Sequence, residues 1–166
     1  VGDVSEQVRT STPGRFGFGN AISIGRSVGD VGPKRVYKVM KKRVTSGVFV
    51  VGFAWFQGTV NSPNSFRLYD GVAGVDRLTC TFNDFGVISV AGFNSNLAAY
   101  IENVWNYIEI KGEVGAVGLL EVKLNGDIII SGTANIGGFA VSQVDQAVVV
   151  VSGIGPRFVP FEVLLL

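Results

Sequence analysis

Histidine is absent from the 166 residues. That removes the commonest general base, the commonest metal ligand and the side chain that changes charge near neutral pH. Cysteine occurs once, as Cys80. One thiol closes no internal disulfide, and one Cys without His builds no zinc site. A single Cys in an alternating apolar run is expected to be a small core residue. Its scarcity fits a protein made in the cytosol. Charge is also scarce: 16% of residues, against roughly 25% in ordinary soluble domains. The formal net charge is +1, so no whole-molecule field draws the chain to nucleic acid, and no specific nucleic-acid partner is expected. No uninterrupted apolar run is longer than the five residues of 147–151. That length falls far short of the roughly 18 residues a membrane helix needs, so membrane insertion is not expected. No basic segment leads into an apolar stretch near the start, so no signal peptide is read there. No G-x-x-x-x-G-K phosphate loop occurs either, and no cofactor is expected.

What is present points to β structure. Hydrophobic residues make up 47% of the chain, many of them the branched Val and Ile that suit a pleated, half-buried surface. The 23 glycines follow no short period and punctuate short apolar runs, as turns between strands do. Low charge with high hydrophobicity fits a tightly packed β protein, or a surface that sits against partners. Residues 1–14 are polar and irregular and read as an extended N-terminal arm. Residues 15–166 read as a single β-sandwich domain. The ending Glu162-Val163-Leu164-Leu165-Leu166 resembles a strand cut mid-course, which fits a longer parent chain.

Strand spacing runs through the domain. Phe16/Phe18 and Ile22/Ile24 alternate with small or polar residues. In residues 44–57, Phe49, Val51, Phe53 and Trp55 point one way, and Val48, Val50, Ala54 and Phe56 the other. A strand apolar on both faces is expected to be covered on both sides. Residues 66–70, 78–82 and 87–90 form shorter strands, separated by Asp70-Gly71 and Asn83-Asp84 turn chemistry. Residues 104–111 alternate, with Trp105, Tyr107, Glu109 and Lys111 on one face. Residues 115–124 and 127–133 flank Asn125-Gly126, a pair that favours the positive φ of a type I′ hairpin turn. Residues 147–151 and 158–166 finish the chain as strands. About ten or eleven short strands without helical periodicity imply an all-β, two-sheet antiparallel sandwich with little or no helix.

Three segments carry a resemblance. Arg15-Phe16-Gly17-Phe18-Gly19-Asn20-Ala21-Ile22, Val50-Val51-Gly52-Phe53-Ala54-Trp55-Phe56, and Val104-Trp105-Asn106-Tyr107-Ile108-Glu109-Ile110 followed by Glu121-Val122-Lys123-Leu124-Asn125-Gly126 resemble strands of concanavalin A-like lectin/glucanase (laminin G-like) jelly rolls. Such domains are common in tailed-phage structural proteins. The family's acidic closing motif is not present; Phe161-Glu162-Val163-Leu164 is at best a degenerate form. The resemblance implies a jelly roll and a non-enzymatic bacteriophage virion role as a head decoration, head fibre, or tail or fibre component. It implies other virion proteins as partners, homo-oligomer contacts, and localisation in a virion made in the host cytoplasm. A carbohydrate-binding module that takes a cell-surface glycan is the alternative, and a glycan hydrolase a third reading.

Hydrolysis of a glycosidic bond by retention needs two carboxylates about 5–5.5 Å apart. The nearest acidic strand is Glu109-Ile110-Lys111-Gly112-Glu113. Lys111 stands where glucanases of this fold carry Asp, so the run reads as a solvated strand with cross-strand ion pairs to Glu121 or Lys123, and no catalytic residue is assigned. Asp70, Asp76 and Asp84 are scattered over turns and read as turn residues, with no metal site expected. Tyr69, Phe93 and Tyr100 adjoin loops and are candidate glycan contacts. Lys34, Arg35, Lys38, Lys41, Lys42 and Arg43 hold six of the 14 Lys and Arg. They form either a polyanion or subunit contact, or an edge strand that its cations guard against aggregation. Trp105, Tyr107, Asn125 and Gly126 are expected to be structural, with Trp105 packed inside the sandwich.

Overall fold

A computed structural model describes the backbone of residues 8–11, 21–24, 34–56, 64–83, 85–96, 99–101, 103–146, 157–158 and 162–165, with side chains described only between Arg43 and Phe139. The strands are β1 (Val8–Ser11), β2 (Ala21–Ile24), β3 (Lys34–Val44), β4 (Gly47–Phe56), β5 (Asn64–Asp70), β6 (Val75–Phe82) and β7 (Ile88–Val90). They continue with β8 (Phe93–Asn94), β9 (Trp105–Leu124), β10 (Asp127–Ile136), β11 (Phe139–Gln146), β12 (Arg157–Phe158) and β13 (Glu162–Leu165). No helix occurs among the described residues. One sheet has seven strands in the order β1-β2-β12-β4-β9-β10, with β13 also on β4; the other has six, in the order β3-β11-β5-β6-β7-β8. All pairings are antiparallel. The chain is therefore the all-β, two-sheet antiparallel sandwich that the alternating pattern implied, and the jelly roll that the resemblance implied.

β9 is continuous in its backbone conformation but folds back on itself. Its first half pairs with β4, from Gly47↔Val114 to Phe56↔Trp105. Its second half pairs with β10, from Leu124↔Asp127 to Gly115↔Ile136. The halves meet each other: Asn125 N–H donates to the Tyr107 carbonyl at 2.8 Å, and Lys123 Nζ lies 3.5 Å from Glu109 Oε1. The reversal needs glycine, because a Cβ on Gly118 would sit 1.8 Å from the Glu113 carbonyl oxygen. At the next reversal Asn125 and Gly126 take φ of 53° and 101°. This is the expected Asn-Gly hairpin, with positive φ at both central residues.

The inner faces close on each other through alternate residues. Phe49, Val51, Phe53 and Trp55 of β4 are buried against Phe66 and Leu68 of β5 and Leu78, Cys80 and Phe82 of β6. Phe53 stacks on Phe66 at 4.7 Å, Trp55 stacks on Phe82 at 4.1 Å, and Phe49 meets Phe139 edge-on at 5.0 Å. Each such ring removes roughly 150–250 Å² from water, so this aromatic stack dominates the core's driving force.

Four expectations are corrected. Trp105 is not in the core: it shares the outward face of β9 with Tyr107, is half-buried, and lies 5.5 Å from Phe56. Strand alternation explains this, because Asn106, Ile108 and Ile110 take the inward positions and Trp55 supplies the core indole. β4 is fully buried on one face only; Val48, Val50 and Phe56 on the other are half-buried. The expected N-terminal arm contains a strand, since Val8–Ser11 pairs with Ala21–Ile24. The described strands number thirteen, more than the ten or eleven anticipated, and β1, β2, β7, β8, β12 and β13 are two to four residues long. The strand expected over residues 147–151 lies outside the described residues.

Candidate functional site

The six-stranded sheet turns a polar face outward. β6 alternates buried Leu78, Cys80 and Phe82 with half-exposed Arg77, Thr79 and Thr81. Register carries this face across the neighbouring strands. Ser65 is opposite Thr81 and Arg67 opposite Thr79 on β5 and β6; Thr81 is opposite Ser89 on β7; Ser89 is opposite Asn94 on β8. Ser89 Oγ and Asn94 Oδ1 are 2.6 Å apart, within a hydrogen bond donated by the hydroxyl.

A groove opens beside this face because β7 is short. β7 covers β6 only along Cys80–Phe82, so Val75–Thr79 has no further strand beside it among the described residues. The groove has a volume of about 510 Å³ and is lined by the β6 run from Asp76 through Arg77 and Leu78 to Thr79, by Thr81 and Ser89, by the β7–β8 turn at Ala91-Gly92, and by Ala134 and Asn135 of β10. That volume falls within the range of small-molecule sites. Its lining is richer in hydroxyls and amides than in large apolar groups, which suits a ligand that is itself covered in hydroxyls.

The charges around the groove are matched. Register skips one residue between Leu68↔Leu78 and Tyr69↔Asp76, which makes Arg77 the extra residue of a bulge. Arg77 Nη2 reaches Asp70 Oδ2 at 2.8 Å, and Arg43 Nη2 reaches the same oxygen at 2.5 Å. Val72 N–H and Ala73 N–H donate to Asp70 Oδ1 at 3.1 and 3.3 Å. The Asp70 side chain is shielded from solvent. Chiefly through Arg77, against the opposing cost of burial, and then through the two amides and Arg43, its carboxyl is held down at about 2. Arg67 Nη1 pairs with Asp76 Oδ2 at 2.6 Å. Asp70 therefore locks the β5–β6 turn to the end of β3, and Arg67–Asp76 sits on the outward face next to the groove.

The structure separates the sequence-derived candidates. Tyr69 is half-buried on the outward face, opposite the groove residue Asp76. Phe93 is half-buried and packs on the core, with its ring across Gly132 of β10, where a Cβ would meet it at 2.8 Å. Tyr100 is corrected to a core residue. It is 4% exposed, meets Trp55 edge-on at 4.6 Å and donates its hydroxyl to the Asn83 carbonyl, so it offers a ligand no ring face. The three aromatics do not converge. Lys34, Arg35, Lys38, Lys41, Lys42 and Arg43 lie on β3, the edge of the six-stranded sheet; of these, the side chain of Arg43 is the one described, and it is bound to Asp70. Asp84 lies outside the described residues.

Glu109 belongs to the other sheet. Lys123 lies 3.5 Å from Glu109 and 3.4 Å from Glu121, and these two carboxylates raise its pKa, Glu121 foremost. This is the cross-strand ion pairing expected of a solvated strand. Among the described residues no group of three acidic, His or Cys side chains converges to hold a metal.

No protein-family profile matches the chain, and no curated protein matches it by sequence. Solved structures do match by fold. A sialidase superposes with a TM-score of 0.69 at 8% identity over 96% of this chain, which spans only 16% of that protein's length. The endo-β-1,4-glucuronan lyase of the fungus Trichoderma reesei superposes with a TM-score of 0.65 at 9% identity, over 94% of this chain and 85% of the lyase. The carbohydrate-binding module CBM66 from Bacillus subtilis superposes with a TM-score of 0.52 at 10% identity, over 87% of this chain and 86% of the module. The chain shares with these proteins the jelly-roll sandwich of the lectin and glucanase kind.

Proposed function

We propose that this chain is a non-catalytic carbohydrate-binding module that takes its glycan in the groove beside β6 and across the outward face of the six-stranded sheet. The observation that carries the reading is the row of hydroxyl and amide side chains, Thr79, Thr81, Ser89 and Asn94, beside a groove of about 510 Å³. Sugars present hydroxyls that both donate and accept, and such side chains match them. The fold is one that a carbohydrate-binding module and a glucuronan lyase also use. The absence of catalysis is argued from Glu109 and Glu121, which share Lys123 on the other sheet and are spent on that ion pair.

A broad glycan array tests the proposal. A sugar that binds should lose about thirtyfold in affinity with Thr79→Val and Thr81→Val together, since each buried hydrogen bond to a ligand hydroxyl contributes about 1 kcal/mol. Valine keeps the strand preference of threonine. Silence across the array would overturn the reading, and so would a hit indifferent to the double variant.

The three-segment resemblance to phage jelly rolls favours a second reading, in which the domain is part of a virion and the glycan lies on the host surface. In that setting many weak copies act together. Copurification of the chain with assembled particles tests it; recovery only as free protein would count against it.

A further inference from the structure

We infer that the groove seats a neutral sugar unit against the methyl group of Ala91, and that the β7–β8 turn keeps Ala there for its ligand, against its own backbone preference. This rests on the carbohydrate-binding reading and assigns its ligand class and a specificity-determining residue.

The first observation is the backbone of the turn. Val90 is opposite Phe93, so Ala91 and Gly92 make a two-residue hairpin loop. Their φ values are 50° and 87°. Positive φ at both positions is the type I′ pattern, which Asn-Gly, Asp-Gly or Gly-Gly fit best. Alanine fits it poorly: its Cβ crowds the carbonyl in the left-handed region, and it has no short polar side chain to bond locally in return. The chain uses the favoured pair elsewhere. Asn125 and Gly126 turn β9 into β10 at φ 53° and 101°. The remaining non-glycine residue with positive φ among those described is Asn103, at 60°. Asn therefore stands at two of the three such positions, and Ala at the one that lines the groove.

The second observation is that packing within the chain does not select Ala91. The residue is exposed, and a Cβ on the adjoining Gly92 would meet no described atom within 4 Å. A longer side chain at position 91 would take up groove volume, not core volume. The third observation is the setting of the methyl. Ala91 lines the groove together with the hydroxyls of Thr79, Thr81 and Ser89 and the amide of Asn135. Asn135 is exposed on β10, so hydroxyl-bonding groups border the groove from both sheets. A sugar ring has hydroxyls at its rim and C–H groups on its faces. A methyl beside such a set covers a face while the polar groups take the rim. The charged residues of the lining are Asp76 and Arg77. Each already has a partner, Arg67 at 2.6 Å and Asp70 at 2.8 Å. A neutral ligand leaves both pairs intact.

The test measures stability and binding on the same variants. Neutral oligomers of glucose, mannose, galactose and xylose are the probes in calorimetry, with oligoglucuronate as the charged comparison. Ala91→Asn should raise the denaturant midpoint, because Asn tolerates the left-handed region, and should weaken the best neutral binder about tenfold. Ala91→Gly should weaken it about fourfold, the loss of one buried methyl group. Affinity should hold between about 0.1 M and about 1 M salt, over which the screening length falls from about 10 Å to about 3 Å. Full-strength binding by either variant would overturn the inference. If Thr79→Val with Thr81→Val still lost affinity, the carbohydrate-binding reading would stand. An unchanged or lower midpoint for Ala91→Asn would also overturn the inference, since the turn would then carry no strain at Ala91. So would tighter binding of oligoglucuronate than of every neutral probe, or an affinity that falls with salt. Failure of every probe would overturn both.

Discussion

Tyr107 and Asn125 are bound to each other twice. Tyr107 N–H donates to Asn125 Oδ1 at 2.8 Å, and Asn125 N–H donates to the Tyr107 carbonyl at 2.8 Å. The Asn125 side chain thus replaces a backbone partner at the open end of the β9 hairpin while its own backbone turns the chain at φ 53°. Asn125→Ala removes the side-chain acceptor and places a Cβ-bearing residue without that compensation in the left-handed region. The expected cost is about 1–2 kcal/mol in a urea titration. Asn125→Gly should cost less, because glycine relieves the φ term and leaves the lost hydrogen bond.

Gly118 tests whether β9 doubles back. An added Cβ would meet the Glu113 carbonyl oxygen at 1.8 Å, whereas at Gly115 the nearest atom lies 4.0 Å away. Backbone atoms at a tight reversal cannot move aside. Gly118→Ala should therefore destabilise the fold by about 3 kcal/mol and Gly115→Ala by well under 1 kcal/mol. Equal effects of the two variants would refute the reversal at this point.

Asp70 sets an acid limb to the stability. Its carboxyl titrates normally at 3.8 and is held at about 2 in the folded chain. A depressed carboxylate contributes stability that is fully present above the unfolded value, declines as pH falls below about 4 and is gone below about 2. Asp70→Asn should lower the denaturant midpoint at pH 7 and flatten its fall between pH 4 and pH 2. An unchanged slope in that window would remove Asp70 from the account.

The fold was largely legible because period-two alternation reports which residues face inward. Val75–Phe82 shows the pattern plainly, with Leu78, Cys80 and Phe82 buried and Arg77, Thr79 and Thr81 outward. Asn125-Gly126 gave its turn through backbone chemistry alone. The direction of an aromatic strand was less legible. Trp105, Tyr107 and Phe56 are as apolar as Trp55, and alternation cannot say which of two apolar faces meets the second sheet. The site was least legible. Thr79, Thr81 and Ser89 look like any solvated strand residues; the signal that singles them out is the shortness of β7, a property of pairing and not of composition. Tyr100 is illegible for the converse reason, since a loop position says nothing about the indole of Trp55 it packs against.

Glycan is proposed to seat on the outward face of the six-stranded sheet. Amide chemical-shift mapping with a bound glycan tests it most directly. Shifts should cluster at Arg67, Thr79, Thr81, Ser89 and Asn94 and leave Glu109, Glu121 and Lys123 unmoved. Perturbations confined to the seven-stranded sheet would contradict it.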